Sequence, residues 1–321
     1  MITRRSFIAA GVAATVLPAM PARADTIAIR MGYLPDYLGC SLVAIANDQD
    51  LWSKHGLSVD LKRFTNGPLQ VQALTSQSLD FGFLGAGAMW LPADGKAKVI
   101  AINAIGFTDR VIARYDIKTL EDIRGKKVGI PEGTSGDMMF RLALQKAGMT
   151  ASDVDIVTMD PSTLVTAFVS GQVDVAGIWY PLVGVIRERV PDLNEISKTA
   201  DFYPEYAFPN AFFASNEIID ANPEAVKRLI AVLKEANDFR AADMDRAVRI
   251  TADFIGIPAD KIAEEASNVK TLTTAELAQM TEDGTIQGWL KTMNDMFRTF
   301  GKLQGDVDPS TYYVTDFYLA D

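Results

Sequence analysis

One cysteine, Cys40, and one histidine, His55, are all that this 321-residue chain has of either type. No intrachain disulfide can form, and a zinc site of the usual Cys and His type cannot be assembled from one of each. A Ser-His-Asp arrangement could use only His55, which stands in the polar turn Ser53-Lys54-His55-Gly56 and reads as a solvated helix-end residue. Cys40, between Gly39 and Ser41, reads as a small core residue. Basic charge is also short: 31 Lys and Arg face 41 Asp and Glu, a net charge of −10. Nucleic-acid binding needs clustered cations, so no nucleic acid is expected as a partner. No P-loop occurs, so ATP hydrolysis is not expected of this chain. These gaps remove much of ordinary hydrolytic and metal chemistry; the chain is read as a non-enzyme without metal or cofactor.

What is present is an ordinary globular composition, 48% hydrophobic and 22% charged, in a length suited to two modest domains. The first 24 residues stand apart. Arg4-Arg5 precede an apolar run from Phe7 to about Leu17, and Ala22-Arg23-Ala24 has a small-x-small cleavage pattern. The run is shorter than the ~20 apolar residues of a spanning helix and ends in Pro18 and Pro21. It reads as a twin-arginine-type signal peptide over 1–24, implying export to the periplasm. Its three arginines leave with it, taking the formal charge from −10 to −13.

Beyond it, strands and helices alternate. Strands are expected at Ile27–Gly32, Leu57–Leu61, Asp80–Leu84 and Val99–Ile105, with helices from Cys40 to Trp52 and Leu69 to Ser76. A second series has strands at Lys127–Ile130, Val154–Met159 and Asp174–Ile178, and helices at Asp137–Ala147 and Thr163–Ser170. Ala211–Ala214 is a further strand, and helices dominate from Pro223 on. Alternation of this kind implies βαβ units. The segment Ala73–Gly82 resembles Ala167–Ala176, so two α/β lobes of similar plan are expected, with loops at the strand ends facing a shared crevice.

Several segments carry a family resemblance. Gly32-Tyr33-Leu34-Pro35, Trp52 to Val59, Leu120 to Val128, Val173 to Pro181, and the ending from Leu272 to Asp316 together resemble periplasmic binding proteins for sulfonates, taurine and nitrate, across nearly the whole mature chain. The resemblance implies the type II periplasmic binding protein fold: two lobes, each a mixed sheet flanked by helices, with the ligand cleft between them. Lobe 1 would be 25–112 plus 211–321 and lobe 2 would be 113–210, the chain crossing near Ile112–Arg114 and Asn210–Phe213 and closing by hinge motion. It further implies a monomer that captures a small organosulfonate-like anion or zwitterion, of the taurine or alkanesulfonate class, and delivers it to the permease and ATPase subunits of an ABC importer. Import of an aromatic acid, nitrate, an amine or a pyrimidine precursor, and a sensor role for a membrane partner, are the alternatives.

A compact anion can be held by helix N-termini, whose unpaired N–H groups point at the ligand. Gly85-Ala86-Gly87 and Thr134-Ser135-Gly136 are small-residue strand-to-helix turns suited to this. Tyr33, Asp36 and Tyr37 lie in the first crevice loop, and Trp179 and Tyr180 follow a strand of the second lobe, where aromatic rings could pack on an alkyl stem or cage an ammonium. Trp90 reads as core. Asn210 matches an aspartate of the taurine-binding relatives, where the acid implies recognition of the amine; an amide cannot supply that charge. Either Asp36, Glu132 or Asp137 takes the role, or the ligand lacks an ammonium group. Arg110 and Arg141 are assigned hinge and helix-surface roles.

Overall fold

The computed structural model describes residues 26–320, so the signal-peptide segment 1–24 lies outside the described residues. Eleven strands, taken in chain order, form two sheets. The first combines β1 (Ile27–Tyr33), β2 (Leu57–Arg63), β3 (Phe81–Leu84), β4 (Lys98–Gly106), β10 (Pro209–Ala214) and β11 (Val269–Thr271) in the order β11-β4-β10-β3-β1-β2. The second combines β5 (Asp109–Ala113), β6 (Lys127–Ile130), β7 (Asp155–Thr158), β8 (Val175–Trp179) and β9 (Asn194–Lys198) in the order β7-β6-β8-β5-β9.

Both sheets are built alike. β1 is parallel to β2 and β3, and β6 to β7 and β8, joined by helical crossovers as parallel pairing requires. An antiparallel strand then inserts beside each trio: β10 beside β3, and β5 beside β8. Each inserted strand is the first that the chain lays down on arriving from the other sheet. That exchange makes both sheets mixed.

The sequence repeat has a structural counterpart. Asp80, just before β3, accepts the Arg30 N–H of β1 at 2.8 Å, and Asp174, just before β8, accepts the Lys127 N–H of β6 at 3.0 Å. The residue three positions earlier in each copy, Gln77 or Gly171, has a positive φ of 57° or 78°. Glycine adopts that conformation freely; glutamine does so at a cost.

β4 is buried along almost its whole length, flanked by β10 and β11, as its apolar run requires. The chain leaves the first sheet after Gly106 and joins the second at Asp109, then returns between Lys198 and Pro209. The crossings therefore precede the expected positions near 112–114 and 210–213. β5 opens with Asp109-Arg110, a charged pair that reads as loop. Arg110 is nonetheless buried, because Glu195, Asn268 and two backbone carbonyls satisfy its guanidinium. β9 and β11, also absent from the sequence expectation, are short edge strands with little apolar pattern. The helix expected from Cys40 to Trp52 starts at Tyr37 and breaks after Asp48, with Asp50 at φ 51° before the short Leu51–Lys54 turn.

Helix Ser135–Lys146 lies so close to β8 that backbones touch. A Cβ on Gly177 would stand 2.5 Å from the Gly136 carbonyl oxygen and 3.1 Å from the Phe140 Cβ. Gly177→Ala should therefore force the helix off the sheet and cost about 1–3 kcal/mol, measurable as an earlier urea midpoint. An unchanged midpoint would show that the contact can relax without loss.

Candidate functional site

The strand ends and helix starts of the two lobes meet around one cavity between them. From the first lobe it is lined by Leu34, Asp36, Leu38, Asn66, Gly67, Phe83, Gly85, Ala88, Asn210 and Glu265, and from the second by Thr134, Ser135 and Trp179, with Thr108 at the crossing.

Helix Tyr37–Asp48 begins against this cavity, and two carboxylates take up its first N–H groups. Asp36 is its N-cap, accepting the Gly39 N–H at 2.6 Å. Glu265, from helix Ala259–Ala266, accepts the Tyr37 N–H at 2.8 Å and the Leu38 N–H at 3.2 Å. The helix's positive end thus supports two buried acids. A third acid, Asp109, stands at the start of β5, next to the lining residue Thr108. Its Oδ1 has no hydrogen-bond partner among the described residues.

Burial pushes Asp36 up to about 7 and Asp109 up to about 6; the Gly39 N–H opposes the shift at Asp36, and Ser135 and Arg110 oppose it at Asp109. Glu265 is raised well above the ordinary range by burial, then by the negative charge of Asp36. Crowding three acids in a low-dielectric space disfavours their joint ionisation.

The opposite wall has the reverse polarity. Thr134 is the N-cap of helix Ser135–Lys146, yet its hydroxyl donates to the Pro131 carbonyl at 2.6 Å and caps nothing. The first turn of a 12-residue helix therefore faces the cavity without a side-chain acceptor. Gly85 faces this turn: a Cβ there would lie 3.5 Å from the Ser135 Oγ and 3.6 Å from the Asn210 Oδ1.

Of the sequence-named residues, Asp36, Gly85, Thr134, Ser135, Trp179 and Asn210 line the cavity, and the other six stand apart from it. Tyr33 ends β1 and packs its ring on Phe254 at 5.3 Å. Tyr37 is fully buried behind the helix start, among Val248, Ala252 and Ile262. Ala86 and Gly87 follow Gly85 in a buried turn, and Gly87 abuts the Thr134-Ser135 backbone, where a Cβ would come within 2.5 Å of the Ser135 nitrogen. Gly136 sits against β8. The Tyr180 hydroxyl turns toward the crossings, donating to Glu195 at 2.9 Å and accepting from Arg187 at 2.9 Å.

The candidates for a displaced acid separate as clearly. Glu132 is exposed and pairs with Lys302 at 2.6 Å. Asp137 accepts the Gly133 N–H at 2.8 Å and pairs with Arg141 at 2.6 Å. Only Asp36 reaches the cavity. Asn210 spends its amide N–H on the Phe208 carbonyl at 3.1 Å. Trp90 packs against the core of the first lobe as expected while remaining partly exposed, and its indole donates to the Gly133 carbonyl of the other lobe at 3.2 Å. His55 is half-buried rather than solvated, 2.9 Å from Glu235, while Cys40 is core as expected.

Glu265 and Asp109 escaped the sequence reading. Glu265 lies in Glu264-Glu265 on an amphipathic helix and looks like surface charge; its bonding partners are 227 and 228 residues away. Asp109 looks like part of a polar turn. Neither has a local signal.

The lobes are held together around the cavity. Thr65 donates to Asp160 at 2.8 Å, and ion pairs join Arg187 to Glu264 at 3.2 Å and Glu188 to Lys261 at 2.7 Å. Two α/β lobes that exchange strands around one small cavity define the class: a two-lobed periplasmic binding protein fold. The alkanesulfonate-binding protein SsuA of Xanthomonas axonopodis pv. citri, solved with MOPS, shares that fold with a TM-score of 0.72 at 18% identity, over 91% of this chain and 99% of that one. The chain belongs to the family described as NMT1/THI5 like, whose profile matches residues 40–247. A Brucella abortus relative, named only as a binding protein, is 55% identical over 317 residues, 99% of each chain. An Escherichia coli relative whose name is that of an aliphatic sulfonates-binding protein is 26% identical over 266 residues, 76% of this chain and 77% of that one.

Proposed function

We propose that this chain is the substrate-binding component of an ABC importer in the periplasm, reached by the twin-arginine route, and that it captures a small organosulfonate-type anion or zwitterion by lobe closure. The observation that carries this reading is the uncapped first turn of helix Ser135–Lys146 facing Gly85 and Asn210 across the cavity. Unpaired main-chain N–H groups there suit the oxygens of a sulfonate, which needs several donors and no proton. The sulfonate named for the E. coli relative supports the same class.

The moving units in this proposal are 26–106 with 209–320, and 109–198, a few residues from the expected bounds because β5 pairs in the second sheet, with the bending confined to the crossings at residues 107–108 and 199–208. A monomer suffices, because both walls of the cavity come from one chain. The permease and ATPase subunits supply the membrane passage and the energy.

Thermal-shift measurement on the full chain without residues 1–24 tests the reading, with taurine, other organosulfonates and nitrate as probes. A ligand at 100 times its dissociation constant adds about 2.7 kcal/mol, a rise of several degrees in Tm. Stabilisation by at least one sulfonate is expected. Stabilisation by nitrate alone, or by no sulfonate, would overturn the substrate class.

A further inference from the structure

The only charged side chains lining the cavity are Asp36 and Glu265, both negative. Asp109, which opens β5 directly after the lining residue Thr108, adds a third carboxylate whose charge raises both. Asp36, Asp109 and Glu265 are 6%, 4% and 1% exposed, so water does little to solvate them. The nearby cations are already occupied. Arg110 is bound to Glu195 and Asn268, while Arg240, behind Tyr37, bonds Ser41, Asn237 and the Asn103 carbonyl.

Buried carboxylates lacking a counter-cation are costly, and a native protein resolves the cost by protonation or by binding a positive charge. The main-chain donors to Asp36 and Glu265 leave oxygen lone pairs free on both, and Asp109 Oδ1 is unpartnered. The Trp179 side chain, which also lines the cavity, adds an aromatic surface of the kind that attracts cations.

We propose that the ligand carries an ammonium group, held by Asp36, Asp109 and Glu265. Resting on the cavity as the ligand site, this narrows the sulfonate class to aminosulfonates and similar short zwitterions. The negative end lies at the first turn of helix Ser135–Lys146 and the positive end at the acids below helix Tyr37–Asp48. The charge lost at Asn210 is thereby supplied from the neighbouring wall, by residues from three separate segments. Plain alkanesulfonates would leave the acids uncompensated and are rejected.

Matched pairs that differ only in the ammonium group test this on the full chain without residues 1–24: taurine against ethanesulfonate, and β-alanine against propionate. By calorimetry, at least one ammonium member is expected to bind, and at least tenfold more tightly than its partner. Asp36→Asn, which retains an N-cap, and Glu265→Gln should each weaken that binding roughly 30-fold or more while melting cooperatively. Binding of ethanesulfonate or propionate as tight as the amine would overturn the charge assignment and leave the cavity as the site. No binding by either ammonium compound at millimolar concentration would also overturn it. Ammonium binding untouched by both substitutions would place the ligand elsewhere, and the reading of the cavity would fall with it.

Discussion

Gly87→Val is expected to lose ligand binding by at least about 100-fold while both lobes remain folded. Gly87 meets the other lobe backbone to backbone: a Cβ would collide with the Thr134 carbonyl and come within 2.5 Å of the Ser135 nitrogen. Backbone atoms at the start of a 12-residue helix packed on β8 cannot step aside as a flexible side chain can. The added volume can be relieved by moving one lobe away from the other, which opens the cavity. Both walls of the proposed site must be present at once, so separating them removes most of the contacts. Calorimetry with the best ammonium probe should show the loss. Small-angle scattering should show a radius of gyration that no longer contracts on adding that probe. The unliganded melting temperature should stay near that of the parent, since each lobe's own core is untouched. Parent-like affinity together with normal contraction would show that closure does not bring Gly87 against Ser135.

The unliganded protein should become more stable as the pH falls from about 7.5 to 5.5, opposite to the usual behaviour of a protein rich in paired acids. A carboxyl whose folded pKa is raised prefers to be protonated in the folded state. Its stabilising contribution is complete below the unfolded value near 4 and is lost as pH rises through the folded value. For Asp109 that loss extends to about 6 and for Asp36 to about 7. Glu265 acts in the same direction, raised by burial and by Asp36. Other groups packed around them do not change charge in this window: Cys40 and Tyr37 are pushed upward by burial, and Arg240, lowered to about 10, stays protonated. Acids held low by partners, such as Glu235 beside Lys54 and Glu132 beside Lys302, lose their contribution only as the pH falls through the ordinary carboxylate range, below this window.

Melting temperature should therefore rise by on the order of 5 °C between pH 7.5 and 5.5, then fall in stronger acid. Asp36→Asn should flatten the rise. With a saturating ammonium ligand the slope should reverse, because the bound cation favours the ionised acids and must displace their protons. A monotonic fall from pH 7.5 in the unliganded protein would remove the acid cluster from this account.

The two-series alternation, the near-repeat of Ala73–Gly82 in Ala167–Ala176, and the apolar run of β4 were legible as two α/β lobes. Each is a local pattern whose physical meaning does not depend on distant residues. Asp80 and Asp174 illustrate the point, since each makes the same bond to the first strand of its own parallel trio. The small-residue turns at Gly85 and Thr134-Ser135 were legible for the same reason, because a close backbone approach demands small residues wherever it occurs. Tyr33, Tyr37 and Tyr180 do not line the cavity, because an aromatic residue in a loop carries no sign of the direction it will face. Tyr37 turned inward to the core and Tyr180 toward the hinge charges.

The sequence by itself thus determined the lobes, the strand-to-helix turns and the want of a histidine or cysteine pair for metal or hydrolytic chemistry. Only the tertiary structure decided the polarity of the cavity. Glu265 reaches the helix start at Tyr37 across 228 residues, and Asp109 arrives on the strand that crosses between sheets. Charge at a site is a sum over groups brought together by folding, and no local window of the chain contains that sum.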